Sequence, residues 1–112
     1  MKPTPIELPQ STPATYSDLI GQVAIVTGAA TGIGLAITSA LLAQGCRVVA
    51  MDIDEVALIK SLTEIGRPED TWTVVGSVAN PDTIKQACDA AISKWGRIDI
   101  LVNNAGAAAG GV

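Results

Sequence analysis

The stretch Val23-Ala24-Ile25-Val26-Thr27-Gly28-Ala29-Ala30-Thr31-Gly32-Ile33-Gly34 decides how the chain is read. Its first half is an uncharged apolar run, the pattern of a strand buried on both faces. The run breaks into glycines at 28, 32 and 34, and a helical pattern follows. Strand, glycine turn and helix in that order make a place to hold a phosphate. The glycines let the backbone turn tightly and approach a ligand, and the helix N-terminus offers unpaired N–H donors at its positive dipole end.

Downstream, strand and helix alternate. From Ile33 the apolar positions 33, 36, 37, 40 and 41 fall at helical spacing, and Gly45 suits the position just past the helix. Arg47–Met51 reads as a second strand. Asp54 is a fitting N-cap for a helix carrying Leu58, Ile59, Leu62 and Ile65, which Gly66 closes. Thr71–Val75 is rich in β-formers and gives a third strand. Asn80-Pro81 then opens a helix with Ile84, Ala87, Cys88, Ala91, Ile92 and Trp95 on one face, ended by Gly96. Ile98–Val102 is the fourth strand. The predicted fold class is α/β, an incomplete doubly wound parallel sheet of Rossmann type. Right-handed crossovers and a reversal after the third strand set the strand order 3-2-1-4. The predicted organisation is a flexible proline-rich arm over 1–20 and a partial Rossmann domain over 21–112, truncated after the fourth strand.

The composition narrows the function. The chain has 112 residues, enough for one domain, with 48% hydrophobic residues and a net charge of −4. No basic patch exists to neutralise phosphates, which argues against nucleic acid as a partner. No apolar run is long enough for a membrane span and no apolar leader opens the chain, so the expected location is cytoplasmic. With no histidine the usual zinc sets cannot be assembled, and no metal site is expected. Cys46 and Cys88 read as reduced, buried thiols.

The glycine spacing differs from the G-x-G-x-x-G of the commoner dinucleotide folds. Thr27-Gly28-x-x-x-Gly32-Ile33-Gly34, the acidic Asp52 ending the second strand, and Asn103-Asn104-Ala105-Gly106 ending the fourth together resemble the short-chain dehydrogenase/reductase family. The approach Leu19-Ile20-Gly21-Gln22 is similar too, and the likeness covers residues 19–106.

That resemblance implies a nicotinamide cofactor and its binding residues. Gly28, Thr31, Gly32, Ile33 and Gly34 would form the pyrophosphate turn. Asp52, followed by Ile53, would accept hydrogen bonds from the adenosine ribose and repel a 2′-phosphate, which favours NAD over NADP. Thr31 agrees, because NADP-preferring relatives often carry a basic residue there. Arg47 lies at the wrong end of its strand to bind a 2′-phosphate. Ser77-Val78 stands where the family has Asp-Val against the adenine. The serine hydroxyl can still accept there, without the charge assistance of a carboxylate, or the segment is a plain strand-end turn. Asn104, Ala105 and Gly106 would line the adenosine ribose and the approach to the nicotinamide, while Asn103 would tie strands together.

The family's chemistry uses a Tyr-x-x-x-Lys pair with a Ser upstream, and an Asn on the helix after strand four. The only tyrosine is Tyr16, with Ile20 four residues on. No catalytic residue is therefore assigned, and Asp99 has no evident partner that would make it an acid. The resulting expectation is the N-terminal, cofactor-binding part of an oxidoreductase for a carbonyl/alcohol pair, whose small-molecule substrate is met only in a complete protein. This chain alone is expected to be inactive and poorly soluble, with an uncovered sheet edge at strand four. Family members are usually homo-oligomers. A non-catalytic nucleotide-binding or regulatory module, or an inert truncated product, remains the alternative.

Overall fold

The computed structural model describes residues 17–105. A 3-10 turn, Ser17–Leu19, leads to β1 (Val23–Thr27), α1 (Gly32–Ala43), β2 (Arg47–Asp52) and α2 (Glu55–Ile65). A second 3-10 turn, Pro68–Asp70, precedes β3 (Thr71–Val75), α3 (Pro81–Trp95) and β4 (Ile100–Val102). The four strands form one parallel sheet in the order β3-β2-β1-β4.

Alternation along the strands feeds two cores, as the pleat requires. Ala24 and Val26 of β1 face one side with Val48 and Ala50 of β2, where Leu42 of α1 and Leu58 and Leu62 of α2 close over them. Val23 and Ile25 face the other side with Val49, Met51 and Val74, under Ala87 and Ala91 of α3. All of β1 is buried, which accounts for its unbroken apolar run. β4 is more open, with Leu101 63% exposed.

The helix starts follow the polar caps. The Asp54 carboxylate accepts the Ala57 amide at 3.0 Å, and the Asn80 side chain accepts the Asp82 amide at 3.0 Å. The face of α1 differs from the expectation. Gly34, Thr38 and Leu42 are its buried residues; Ile37 and Leu41 only flank the core, and Ile33, Ala36 and Ala40 are exposed. The helix is apolar almost all round, so the pattern cannot select a stripe. At Gly34 the close approach to the glycine turn admits only hydrogen, and Leu42, two turns on, packs into the core over β1 and β2. In α3 the buried face likewise includes Thr83, while Ile92 is exposed.

Of the arm expected over 1–20, residues 17–20 are described, and they join the fold. The Leu19 carbonyl accepts the Gln22 amide at 3.0 Å and the Cys46 thiol at 3.3 Å. The rest of the arm, with Tyr16, lies outside the described residues. Cys46 is buried and Cys88 half-buried, and both are free thiols. No helix among the described residues is long and apolar enough to cross a membrane.

Candidate functional site

β1 is where the sheet order reverses: β2 and β3 lie on one side of it and β4 on the other. In open parallel sheets a crevice forms at such a reversal, beyond the carboxyl ends of the strands. The segments that leave those ends are Gly28–Thr31 after β1, Ile53-Asp54 after β2, Gly76–Ala79 after β3 and Asn103–Ala105 after β4. The structure thus brings together at one edge nearly all the residues singled out by sequence. Gly106 lies outside the described residues.

The three glycines of the turn serve different ends. A Cβ on Gly34 would fall onto the Gly28 carbonyl, 2.7 Å from its carbon, so α1 can begin against the turn only with hydrogen at that position. Gly28 has φ +66°, and a Cβ there would lie 2.8 Å from Asn104 Nδ2. Gly32 has φ +58° but faces open space, with nothing within 4 Å. The first two close the turn on itself, and the third bares its backbone to whatever approaches.

The N-terminus of α1 is left electrostatically open. α2 and α3 each have a side-chain cap and an acidic residue in the first turn, Glu55 and Asp82. α1 has neither: its N-cap, Thr31, makes no side-chain cap bond, and no acid stands in its first turn. Orphan N–H donors and a positive dipole end with no acid of the helix's own therefore face the crevice, an arrangement that can receive an anion. Ile33 and Ile53 flank it, both more than two-thirds exposed.

Asp52 is half-buried at the end of β2. Its Oδ2 accepts the Ala30 amide at 3.0 Å and its Oδ1 the Asp54 amide at 2.9 Å. The carboxylate braces the glycine turn, and its two oxygens have lone pairs left for further donors. Asp54, not Asp52, caps α2. Ser77 Oγ accepts the Ala79 amide at 3.1 Å, so its hydroxyl is engaged in its own strand-end turn. Val78 is half-buried against the α3-side core. Arg47 reaches Asp70 at 3.8 Å, at the opposite end of the sheet from the crevice.

Thr27 has a part that its place in an apolar run does not announce. Its buried hydroxyl accepts the amides of Asn104 at 2.9 Å and Ala105 at 3.0 Å, and lies 3.3 Å from the Val102 carbonyl. Asn104 Nδ2 also donates to the Gly28 carbonyl at 3.3 Å. These bonds lock the β1 turn to the β4 turn across the crevice. Asn103 adds only a marginal 3.5 Å contact to Thr27, so the tie between strands runs through Thr27 and Asn104.

Asp99, expected to lack a partner, has several. It accepts from Arg97 through both oxygens, at 2.7 and 2.8 Å, and from the Val23 amide at 2.8 Å. Arg97, and then the Val23 amide, hold its carboxyl below the usual carboxylate range. It sits at the amino end of the sheet, away from the crevice, and its bonds join the start of β1 to the approach to β4.

A doubly wound parallel sheet with a glycine turn at its switch point belongs to the Rossmann-like class of nucleotide-binding folds. A family profile described as short chain dehydrogenase matches residues 22–112. The chain is 42% identical over 89 residues to the 3-oxoacyl-(acyl-carrier-protein) reductase FabG of Thermotoga maritima, covering 79% of this chain and 36% of that protein. Among solved structures, a 3-ketoacyl-(acyl-carrier-protein) reductase from Brucella melitensis complexed with NADH superposes with a TM-score of 0.71. It shares 36% identity, over 78% of this chain and 35% of that one. The C-domain of a bacterial malonyl-CoA reductase, solved with NADP, superposes with a TM-score of 0.74 at 30% identity, over 81% of this chain and 16% of that one. The chain belongs to the short-chain dehydrogenase/reductase family. It spans about a third of the length of the relatives it matches.

Proposed function

We propose that residues 21–112 are the cofactor-binding part of an NAD-preferring oxidoreductase that acts on a carbonyl/alcohol pair. The observation that carries this reading is the open N-terminus of α1, uncapped and without an acid, beside a glycine whose left-handed backbone faces open space. Such an end suits a dinucleotide pyrophosphate. The NADH and NADP bound in two relatives support a nicotinamide dinucleotide as the ligand.

In this reading the chain's residues bind and orient. Backbone donors from Thr31 to Gly34 take the pyrophosphate. The lone pairs that Asp52 keeps beyond its two backbone bonds take the ribose hydroxyls. Ile53 offers exposed apolar surface to the adenine, the Ser77-Val78 segment stands at its edge, and Asn104 and Ala105 line the adenosine ribose and the approach to the nicotinamide. The bound cofactor supplies the hydride donor or acceptor. No residue of the chain is assigned to proton transfer.

Asp52 sets the preference, because a carboxylate at the ribose repels a 2′-phosphate. Calorimetric titration of the chain with NAD and NADP tests this. Wild type should favour NAD. Asp52→Asn retains an acceptor for the Ala30 amide but removes the charge. The preference should fall by about tenfold, within the ~1–4 kcal/mol expected for two charges about 4 Å apart near a protein surface. An unchanged ratio would remove Asp52 from the ribose site.

A further inference from the structure

Three successive peptide groups of the turn are held from the β2–α2 side. The Ala29 amide donates to the Met51 carbonyl at 3.1 Å, and the Ala30 amide to the Asp52 carboxylate at 3.0 Å. The third bond comes from α2: Ser61 Oγ donates to the Ala30 carbonyl at 2.7 Å, across 31 residues. The Ala30 carbonyl shares one planar trans peptide with the Thr31 amide, so the two point in opposite directions. A hydroxyl that draws the carbonyl towards α2 turns the Thr31 N–H away from α2. Among the described residues that amide makes no hydrogen bond of its own.

We propose that Ser61 is a positioning residue for the phosphate-binding turn: it orients the Thr31 amide as the first donor of the α1 N-terminus. Serine and threonine inside helices commonly bond back to the carbonyl four residues earlier. Thr63 does so in this same helix, to Ile59 at 2.7 Å, and Thr38 does so in α1, to Gly34 at 2.8 Å. Ser61 instead reaches out of its helix to the turn. Its bond also polarises the peptide it holds, which strengthens the Thr31 donor. Asp52 fixes the preceding peptide and Ser61 fixes this one, so the donors open to a ligand begin at Thr31. The proposal rests on the reading of the turn as a dinucleotide phosphate site.

The test is a set of amide NMR titrations of the chain with NAD, ADP and adenosine, for wild type, Ser61→Ala, Ser61→Cys and Ser61→Thr. The cysteine variant keeps the side-chain volume with a weak donor, and the threonine variant restores the hydroxyl. Without any ligand, the alanine and cysteine variants should shift the Thr31 amide upfield. Their NAD and ADP dissociation constants should rise about fivefold, the worth of one hydrogen bond of ~1 kcal/mol. Adenosine, which has no phosphate, should bind as before, and the threonine variant should recover wild-type values. An unmoved Thr31 resonance, or equal losses for adenosine and ADP, would reduce Ser61 to a packing role. Should NAD leave the Thr31–Gly34 amides of wild type undisturbed at millimolar concentration, the dinucleotide reading itself fails. The role of Ser61 falls with it, whatever the Thr31 shift shows.

Discussion

The hydroxyl of Thr27 accepts the amide of Asn104 at 2.9 Å, joining the end of β1 to the end of β4 across 77 residues of chain. The same oxygen accepts the Ala105 amide at 3.0 Å and lies 3.3 Å from the Val102 carbonyl. Two acceptor lone pairs and one donor are the whole capacity of a hydroxyl, and here all are used. The glycine turn and the segment Asn103–Ala105 are therefore one unit, although they lie far apart along the described chain.

Replacing that hydroxyl with a methyl tests the unit directly. Thr27→Val conserves shape and strands two partly buried amides, so it should cost about 2–4 kcal/mol of unfolding free energy. Thr27→Ser keeps the bonds and should cost no more than about 1.5 kcal/mol for the lost methyl. Urea unfolding followed by tryptophan fluorescence measures both. Equal losses in the two variants would show that packing, not the shared hydroxyl, holds the turns together.

The turn glycines should separate stability from binding. Gly34→Ala pushes a methyl into the Gly28 carbonyl, and backbone must move, so a loss of about 3 kcal/mol or more is expected. Gly32→Ala meets no atom and pays only for its left-handed backbone, about 1–2 kcal/mol. It should stay folded while losing NAD affinity, because its methyl enters the approach to the α1 N-terminus. Circular dichroism and calorimetry on the two variants check this. A Gly32→Ala protein that binds NAD as wild type does would mean the ligand does not pass there.

Much of this was legible in the sequence because local chemistry decides it. β1 and β3 run over the predicted residues, and the caps Asp54 and Asn80 act as their side chains suggest. β2 extends one residue further, to Asp52, because that residue still pairs with Val75. β4 starts two residues later than predicted, since Asp99 is drawn into its bonds with Arg97 and the start of β1. What the sequence could not reveal is tertiary. Thr27 opens the glycine motif but ends an apolar strand, with no bonding partner visible in the sequence, and Ser61 reads as one more polar residue on a helix. Their roles appear only when partners 31 to 78 residues away are brought within 3 Å.

The two thiols should differ in reactivity. Cys46 is fully buried and gives its S–H to the Leu19 carbonyl. Burial, and then the charge of Asp99, push its pKa up, so little thiolate forms near neutral pH. Labelling with Ellman's reagent at pH 8 should be biphasic. The half-buried Cys88 should react first, and Cys46 only at the rate of opening. Mass spectrometry of the partly labelled protein assigns the phases, and early labelling of Cys46 would contradict its burial.

The Asp99 carboxylate gives the fold an acid limb of predictable sign. Its pKa is lowered in the folded chain by Arg97 and by the Val23 amide, from about 3.9 when unfolded. The ionised form is thus favoured in the native state. Its contribution is fully present above pH about 4 and is lost as pH falls through the lower folded value. Asp99→Asn keeps an acceptor for the Val23 amide but removes the charge and one of the two oxygens that accept from Arg97. The variant should be less stable than wild type at pH 7, and the two should converge towards pH 2. Arg97 is half-exposed, so part of the gap at pH 7 should close in 1 M salt. Urea midpoints from pH 7 to pH 2 measure this, and a gap that stays constant over that range would mean that Asp99 acts through hydrogen-bond geometry without its charge.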